Sequence, residues 1–368
     1  MYLCALKLIG MTGQKTPTAL GTEKIGKLLM QYAIPAIIAM TASSLYNMVD
    51  SIFIGHGVGT MALSALALTF PLMNLGAAFG ALVGVGAATL ISVKLGQKDY
   101  DTAQRVLGNV FVLNILLGLA FTVIVFPFLN PILYFFGGSD ETVEYARQFM
   151  EIILLGNVVT HLYLGLNAVL RASGHPKQAM YATITTVIVN TILAPIFIYG
   201  FEWGIRGAAT ATITAQIISL IWQFRILTNK NEMLRLRRGI YKLKKRIVMD
   251  SLAIGMSPFL MNLTACFIVI LINKGLKEYG GDLAIGAYGI VNRIGFFFVM
   301  IVIGKINPRT TDFVQEDAHA IDMTPWKGAK YIGAILVLIV LSIYVFLADT
   351  SVLRSSGDTP DIATVAEQ

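Results

Sequence analysis

Long apolar runs, one after another with short polar breaks, constrain this chain more than any single motif. Runs at 28–54, 61–93, 105–126, 142–170, 180–201, 207–227, 247–276 and 283–304 approach or exceed the ~20 residues that cross a bilayer as a helix. They are continuous rather than alternating, which predicts helices and excludes a β-barrel. Composition enters only to close the soluble alternative. Of the 368 residues 56% are hydrophobic and 13% charged, where a soluble domain carries about 25% charged. Two cysteines, Cys4 and Cys266, leave no disulfide scaffold and no cysteine zinc site. The expected fold is an all-α integral membrane protein with about eight or nine spanning helices, the ninth being the shorter run at 331–348. The second and fourth runs are too long for a perpendicular crossing and predict tilt or extension beyond the lipid.

The net charge of +7 is no nucleic-acid signal, because of where the charges sit. Nine of the 28 Lys and Arg residues lie between Arg225 and Arg246. Lys7, Lys15, Lys24 and Lys27 precede the first run; Lys94, Lys98 and Arg105 follow the second; Arg171 and Lys177 follow the fourth. The alternate breaks hold little more than Arg147 and Arg206. Basic loops on one side predict a cytoplasmic N-terminus in a multi-pass cell (inner) membrane protein. The basic stretch before Ile247 reads as a topology determinant; the alternative is a short helix on the anionic inner leaflet. Met1–Gly10 is too short and wrongly flanked for a signal peptide, and Met11 is an alternative start.

The chain also repeats itself. Ala33-Ile-Pro35 and Met256-Ser-Pro258 stand 223 positions apart, and Thr41-Ala42 falls on Thr264-Ala265 at that offset. After a one-residue gap, Ala62-Leu-Ser-Ala65-Leu-Ala67 falls on Ala284-Ile-Gly-Ala287-Tyr-Gly289. Matches in the same order suggest two related six-helix lobes, a common transporter plan. The expected organisation is a cytoplasmic tail at 1–27, a first six-helix lobe at 28–227 and a basic cytoplasmic linker at 228–246. The start of a second lobe follows at 247–304, then an aberrant segment at 305–368 with one further helix. After Gly304 the glycine-rich continuation seen at Gly76, Gly80, Gly84 and Gly86 is replaced by polar sequence. That reads as a truncation or frame change.

An ionisable residue inside a spanning helix costs about 3 kcal/mol on insertion scales, so it needs a reason. Asp50 is the clearest case. Ser43, Tyr46, Asn47 and Asp50 recur at spacings of three and four, on one helical face. Thr183, Thr186 and Asn190 do the same in the fifth run, and Thr212, Gln216 and Ser219 in the sixth. Such stripes either line a shared wet cavity or pack helices together. Arg293 is the most costly residue of the last runs and needs a carboxylate or a cavity. Enzyme signatures are lacking: His56, His161, His175 and His319 are scattered without metal-ligand spacing, and no phosphate-binding glycine loop occurs.

Tyr46-Asn-Met-Val-Asp-Ser-Ile-Phe-Ile-Gly55, Leu170-Arg-Ala-Ser-Gly-His-Pro-Lys177, Asn190-Thr-Ile-Leu-Ala-Pro-Ile-Phe-Ile-Tyr-Gly200 and Gly204-Ile-Arg-Gly-Ala-Ala209 occur in that order. Together with the Pro35…Asp50 spacing they resemble the multidrug and toxic compound extrusion (MATE) family. The resemblance implies cation-coupled antiport, with protons or sodium driving small organic, amphipathic or cationic substrates out of the cell. It implies neither ATP nor cofactor, and no nucleic-acid or obligatory protein partner besides the lipid bilayer. It also implies cation coupling at Asp50, Asn190 and Thr212 and helix bending at Pro35; the cavity lining expected of Ser43, Tyr46, Asn47, Thr186 and Gln216 follows from the polar stripes themselves. Many relatives carry an aspartate where this chain has Ala194, which favours a proton over sodium, since hard cations need several oxygen ligands. The alternatives are a lipid-linked oligosaccharide flippase of the same superfamily, which calls for more basic residues inside the spans, and a non-functional membrane fragment.

Overall fold

The computed structural model describes residues 25–316 apart from 230, 231, 233 and 238, with backbone alone at 25–33 and 296–316. The tail at 1–24 and the run at 331–348 lie outside the described residues. Among those described, every regular element is a helix: α1 (Ile25–Gly57), α2 (Thr60–Gly96), α3 (Tyr100–Val125), α4 (Leu129–Phe135), α5 (Asp140–Leu155), α6 (Asn157–Ala172), α7 (Pro176–Pro195), α8 (Gly204–Thr228) and α9 (Lys245–Glu316). A single 3₁₀ turn at Phe126–Phe128 joins α3 to α4, and a wide π turn at Ile196–Gly200 ends α7.

Six helices are long and apolar enough to cross a membrane, and a seventh span arises if the bent pair α5–α6 counts as one. The fourth apolar run is thus not one tilted helix. It bends by 58° at Gly156, where a side chain would run into Ile213. The seventh and eighth runs are joined as α9, 72 residues long and broken only at Gly281, whose φ of 65° suits glycine. At ~1.5 Å per residue that helix is far longer than one crossing, so its two arms stand for two spans. The second arm stays helical past Gly304 to Glu316, further than the hydropathy of the sequence extends.

Side chains sort as a bilayer requires. On α1 Ile34, Ile38, Leu45 and Ile52 are exposed while Pro35, Ala39, Asp50 and Ile54 are buried. Two apolar cores form, one around Leu68, Leu133 and Phe149, the other around Ile91, Leu107 and Leu166 and joined by Leu234 of the linker and Ile247 of α9. Between them runs a polar seam. His161 Nε2 lies 2.8 Å from the Gly76 carbonyl, Asn157 donates to Gly118 O at 3.2 Å, and Thr122 donates to Leu154 O at 2.8 Å. Small residues allow this closeness: Cβ at Gly84 would stand 3.0 Å from Gly165 Cα.

α9 packs along α2. Cβ at Gly86 would fall 1.9 Å from Ser251 O, and Cβ at Gly255 would fall 1.8 Å from Leu82 O, so the two backbones touch. On the second arm Gly286 abuts Ser64 and Gly289 abuts Ala67. Those are the residues the internal repeat pairs with one another, and self-equivalent contact is what a two-fold relation places at its axis.

The basic linker is not a leaflet helix. Its described residues between Asn229 and Lys244 are non-helical, and Leu234 and Ile240 are buried against α1–α8. Gln104 on α3 grips the Arg235 backbone: its amide donates to Arg235 O, and Arg235 N donates to Gln104 Oε1 at 3.1 Å. Below it Asp99 caps α3, and hydrogen bonds from Thr102 hold its carboxyl below the usual carboxylate range. Two backbone groups captured at one amide outcompete a free amphipathic helix here. Gln104→Ala is expected to speed trypsin cleavage at Arg235 and Arg237 several-fold, in line with losing about 1 kcal/mol per hydrogen bond. Unchanged cleavage kinetics in membranes would show that the buried Leu234 and Ile240 hold the linker alone.

Candidate functional site

The site is built where α1, α7 and α8 meet. α1 carries Asp50 on its inward-turned polar face. Asp50 is 6% exposed, Asn190 1% and Thr212 7%. Pro35 lies inside α1, where it has no N–H to donate to a carbonyl of the preceding turn and so weakens the ladder locally.

The hydrogen bonds have a definite order. Thr212 Oγ1 lies 3.1 Å from Ala208 O on its own helix and gives its one proton there. It therefore accepts from Tyr46 Oη at 3.0 Å and from Asn190 Nδ2 at 3.0 Å. Asn190 Nδ2 also reaches Tyr46 Oη at 3.4 Å. Tyr46, the donor nearest in the stripe, is thus spent on Thr212. Asp50 Oδ1 is buried and has no hydrogen-bond partner. A carboxylate oxygen with no donor, in a water-poor interior, is open to a cation or a proton and to little else.

Asp50, Tyr46, Asn190 and Thr212 come together. The other stripe residues divide. Asn47 is exposed, and it is its carbonyl that is used, accepting from Ser51 Oγ at 2.6 Å and Arg293 Nη1 at 2.7 Å. Ser43 is half-buried one turn away. Thr186 donates to Ser219 Oγ at 2.6 Å, joining α7 to α8, and Gln216 Oε1 accepts from Thr160 at 2.6 Å, joining α8 to α6. Their hydroxyl and amide are engaged in helix packing. Ala194 is fully buried in the apolar core.

Two features of the site had weaker signals in the sequence. The buried seam of Asn114, Asn157 and His161 shows there only as isolated polar residues in apolar runs. The partner of Arg293 shows there not at all, since spacing carries no information on contacts 246 positions apart. A cavity of about 10 Å³ lies beside Arg293, lined by Asn273, Tyr288 and Asn292 among others.

Residues 35–196 match the family model described as MatE. The chain is 32% identical over 282 residues to the Multidrug export protein MepA of Staphylococcus haemolyticus (strain JCSC1435), covering 77% of this chain and 62% of the relative. It is 29% identical over 278 residues to the protein of that name in Staphylococcus aureus (strain NCTC 8325 / PS 47), covering 76% and 61%. The chain spans about three fifths of the length of these curated relatives. Among solved structures it is similar to the MATE multidrug transporter DinF-BH, with TM-score 0.77, 27% identity, and 96% of this chain and 80% of that one covered. It is also similar to the outward-facing conformation of a multidrug resistance MATE family transporter of the MOP superfamily, with TM-score 0.74, 25% identity, and 91% and 74% covered.

Proposed function

We propose that this chain, which belongs to the MATE family, exports amphipathic organic cations across the cell membrane in exchange for protons. The observation that carries the reading is the buried Asp50 Oδ1, left without a donor while Tyr46, Asn190 and Thr212 bond to one another. One titratable carboxylate suffices for a proton. A sodium ion wants several hard oxygen ligands, and the residue in the next turn of α7, Ala194, offers none. Cation and substrate would bias a shared cavity in opposite senses, so that one leaves as the other enters. The multidrug names of the relatives and of the structural neighbours support a broad range of organic substrates.

The test is uptake of ethidium, a fluorescent amphipathic cation, into inverted membrane vesicles containing the chain. An imposed proton gradient is expected to drive uptake at constant sodium. Uptake that follows sodium at fixed pH would move the coupling to sodium, and none under either gradient would overturn the reading.

The orientation is part of the same proposal, with the N-terminus and the linker after α8 in the cytoplasm because the basic residues gather there. Thr60 and Thr228 are both exposed. Cysteine at position 60 should react with an impermeant thiol reagent on whole cells, and cysteine at 228 should be protected. The reverse pattern would invert the topology.

A further inference from the structure

Arg293 sits in the second arm of α9, inside a segment apolar enough to span. A guanidinium there needs a counter-charge. Its own half supplies none at the obvious place: the repeat offset that pairs Pro35 with Pro258 pairs Asp50 with Asn273, a neutral amide. Asn273 is 1% exposed, and its side-chain nitrogen and oxygen have no hydrogen-bond partner. Asp282, on the same arm, is taken by Lys277 at 2.6 Å and Ser139 at 2.7 Å.

Across the contact with α1 the situation is complementary. Arg293 Nη1 donates to Asn47 O, one helical turn from Asp50. Asp50 and Tyr46 are the titratable groups of α1 that face Arg293, and Arg293 is the charged group that faces Asp50. Tyr163 in turn acts on Tyr46. No direct ion pair joins Asp50 to Arg293, so Asp50 Oδ1 stays open while its charge is balanced. The cavity beside Arg293, about 10 Å³, has room for one water.

We infer that Arg293 is a tethered stand-in for the transported cation: it balances Asp50 across the α1–α9 contact, and a cation arriving at Asp50 drives it off. The inference rests on reading Asp50 as the coupling carboxylate. Arrival of a proton or a monovalent metal ion leaves the guanidinium as uncompensated positive charge in a medium of low dielectric. Its release from the Asn47 carbonyl removes a tie between α1 and the second arm of α9, which is then free to move. The coupling is reciprocal: Arg293 weakens cation binding by the factor by which the cation weakens the α1–α9 contact.

Cross-linking tests this without relying on transport. Cβ at Gly286 would stand 3.5 Å from Ser64 Cβ, within the range of a disulfide. The full chain with Ser64→Cys and Gly286→Cys, and with Cys4→Ser and Cys266→Ala, is oxidised in membrane vesicles and scored by loss of maleimide labelling in denaturant. Sodium chloride against choline chloride at pH 8, and pH 6 against pH 8 without sodium, are the cation probes. Each cross-linking rate is divided by the alkylation rates of the two single-cysteine variants at the same pH, so that the thiolate fraction cancels. One of them is expected to slow cross-linking about tenfold, a typical coupling. Arg293→Gln should cross-link slowly under every condition, and Arg293→Lys should restore both the fast rate and the cation response, which a merely structural role would not produce.

An Arg293→Gln protein that cross-links fast and still responds would overturn the inference, as would a parent indifferent to both probes. If Arg293→Gln still responds while Asp50→Asn does not, the Arg293 assignment fails and the coupling role of Asp50 survives. If Asp50→Asn still responds, both fail. Where Arg293→Gln is not recovered in membranes, Arg293→Lys decides: loss of the cation response in that variant overturns the inference.

Discussion

Asp50→Asn is expected to abolish ion-driven efflux while leaving the protein in the membrane at the parent level. The side chains are nearly equal in volume, so the interior around α1, α7 and α8 keeps its packing. What is lost is the single negative charge, and with it the one carboxyl group there that can bind and release a proton. Ethidium efflux from loaded cells, set against protein quantity in isolated membranes, measures both sides. Export undiminished by Asp50→Asn would remove Asp50 from the coupling mechanism. Thr212→Ala provides the graded comparison. It removes the acceptor that holds Tyr46 and Asn190 and frees the Tyr46 hydroxyl to donate elsewhere, so a shift in cation dependence is expected in place of total loss.

The second large effect concerns folding. Gly86→Val and Gly255→Val each place a branched side chain where a backbone carbonyl already stands, at 1.9 Å and 1.8 Å from the new Cβ. Backbone cannot give way as a flexible side chain would. Each variant is expected to cost more than the roughly 1–3 kcal/mol of ordinary overpacking, because α9 must leave α2 along its length. Size-exclusion profiles and thermal melts of the detergent-solubilised protein would show it as aggregation or a strongly lowered melting temperature. A normal melt for both would mean that α2 and α9 are not in backbone contact. Gly275→Ala, where nothing lies within 4 Å, is the matched control and should be silent or slightly stabilising.

Much of this was legible in the residues. Hydropathy located the helices because each must hide its backbone from lipid whatever it packs against. The stripe Tyr46–Asp50 was legible because a carboxylate in an apolar run is costly and three- and four-residue spacings fix a face. Stripe membership did not reveal which polar atoms remain unspent. Thr186 and Gln216 have the same spacing signature as Asn190 and Thr212, yet they bond to Ser219 and Thr160. The bend at Gly156 was hidden because a hydropathy window sums across it. The docked linker was hidden because a side-chain amide gripping backbone leaves no trace in a charge pattern. Where the repeat matched, it said more than expected: Ser64 with Gly286 and Ala67 with Gly289 are both sequence equivalents and spatial neighbours.

The pinned linker has a mechanical consequence. Gln104 holds the chain at Arg235 and the apolar core holds it again at Ile240, while α9 starts at Lys245. The Tyr241 ring lies 5.5 Å from that of Phe111 on α3, so the slack between the halves is residues 242–244, which at ~3.5 Å each reach about 10 Å when pulled straight. That is a short hinge strap. Whatever swing α9 makes at its far end, its first turn stays leashed close to α3, and lengthening the strap with glycine and serine would widen the swing before it changed any contact.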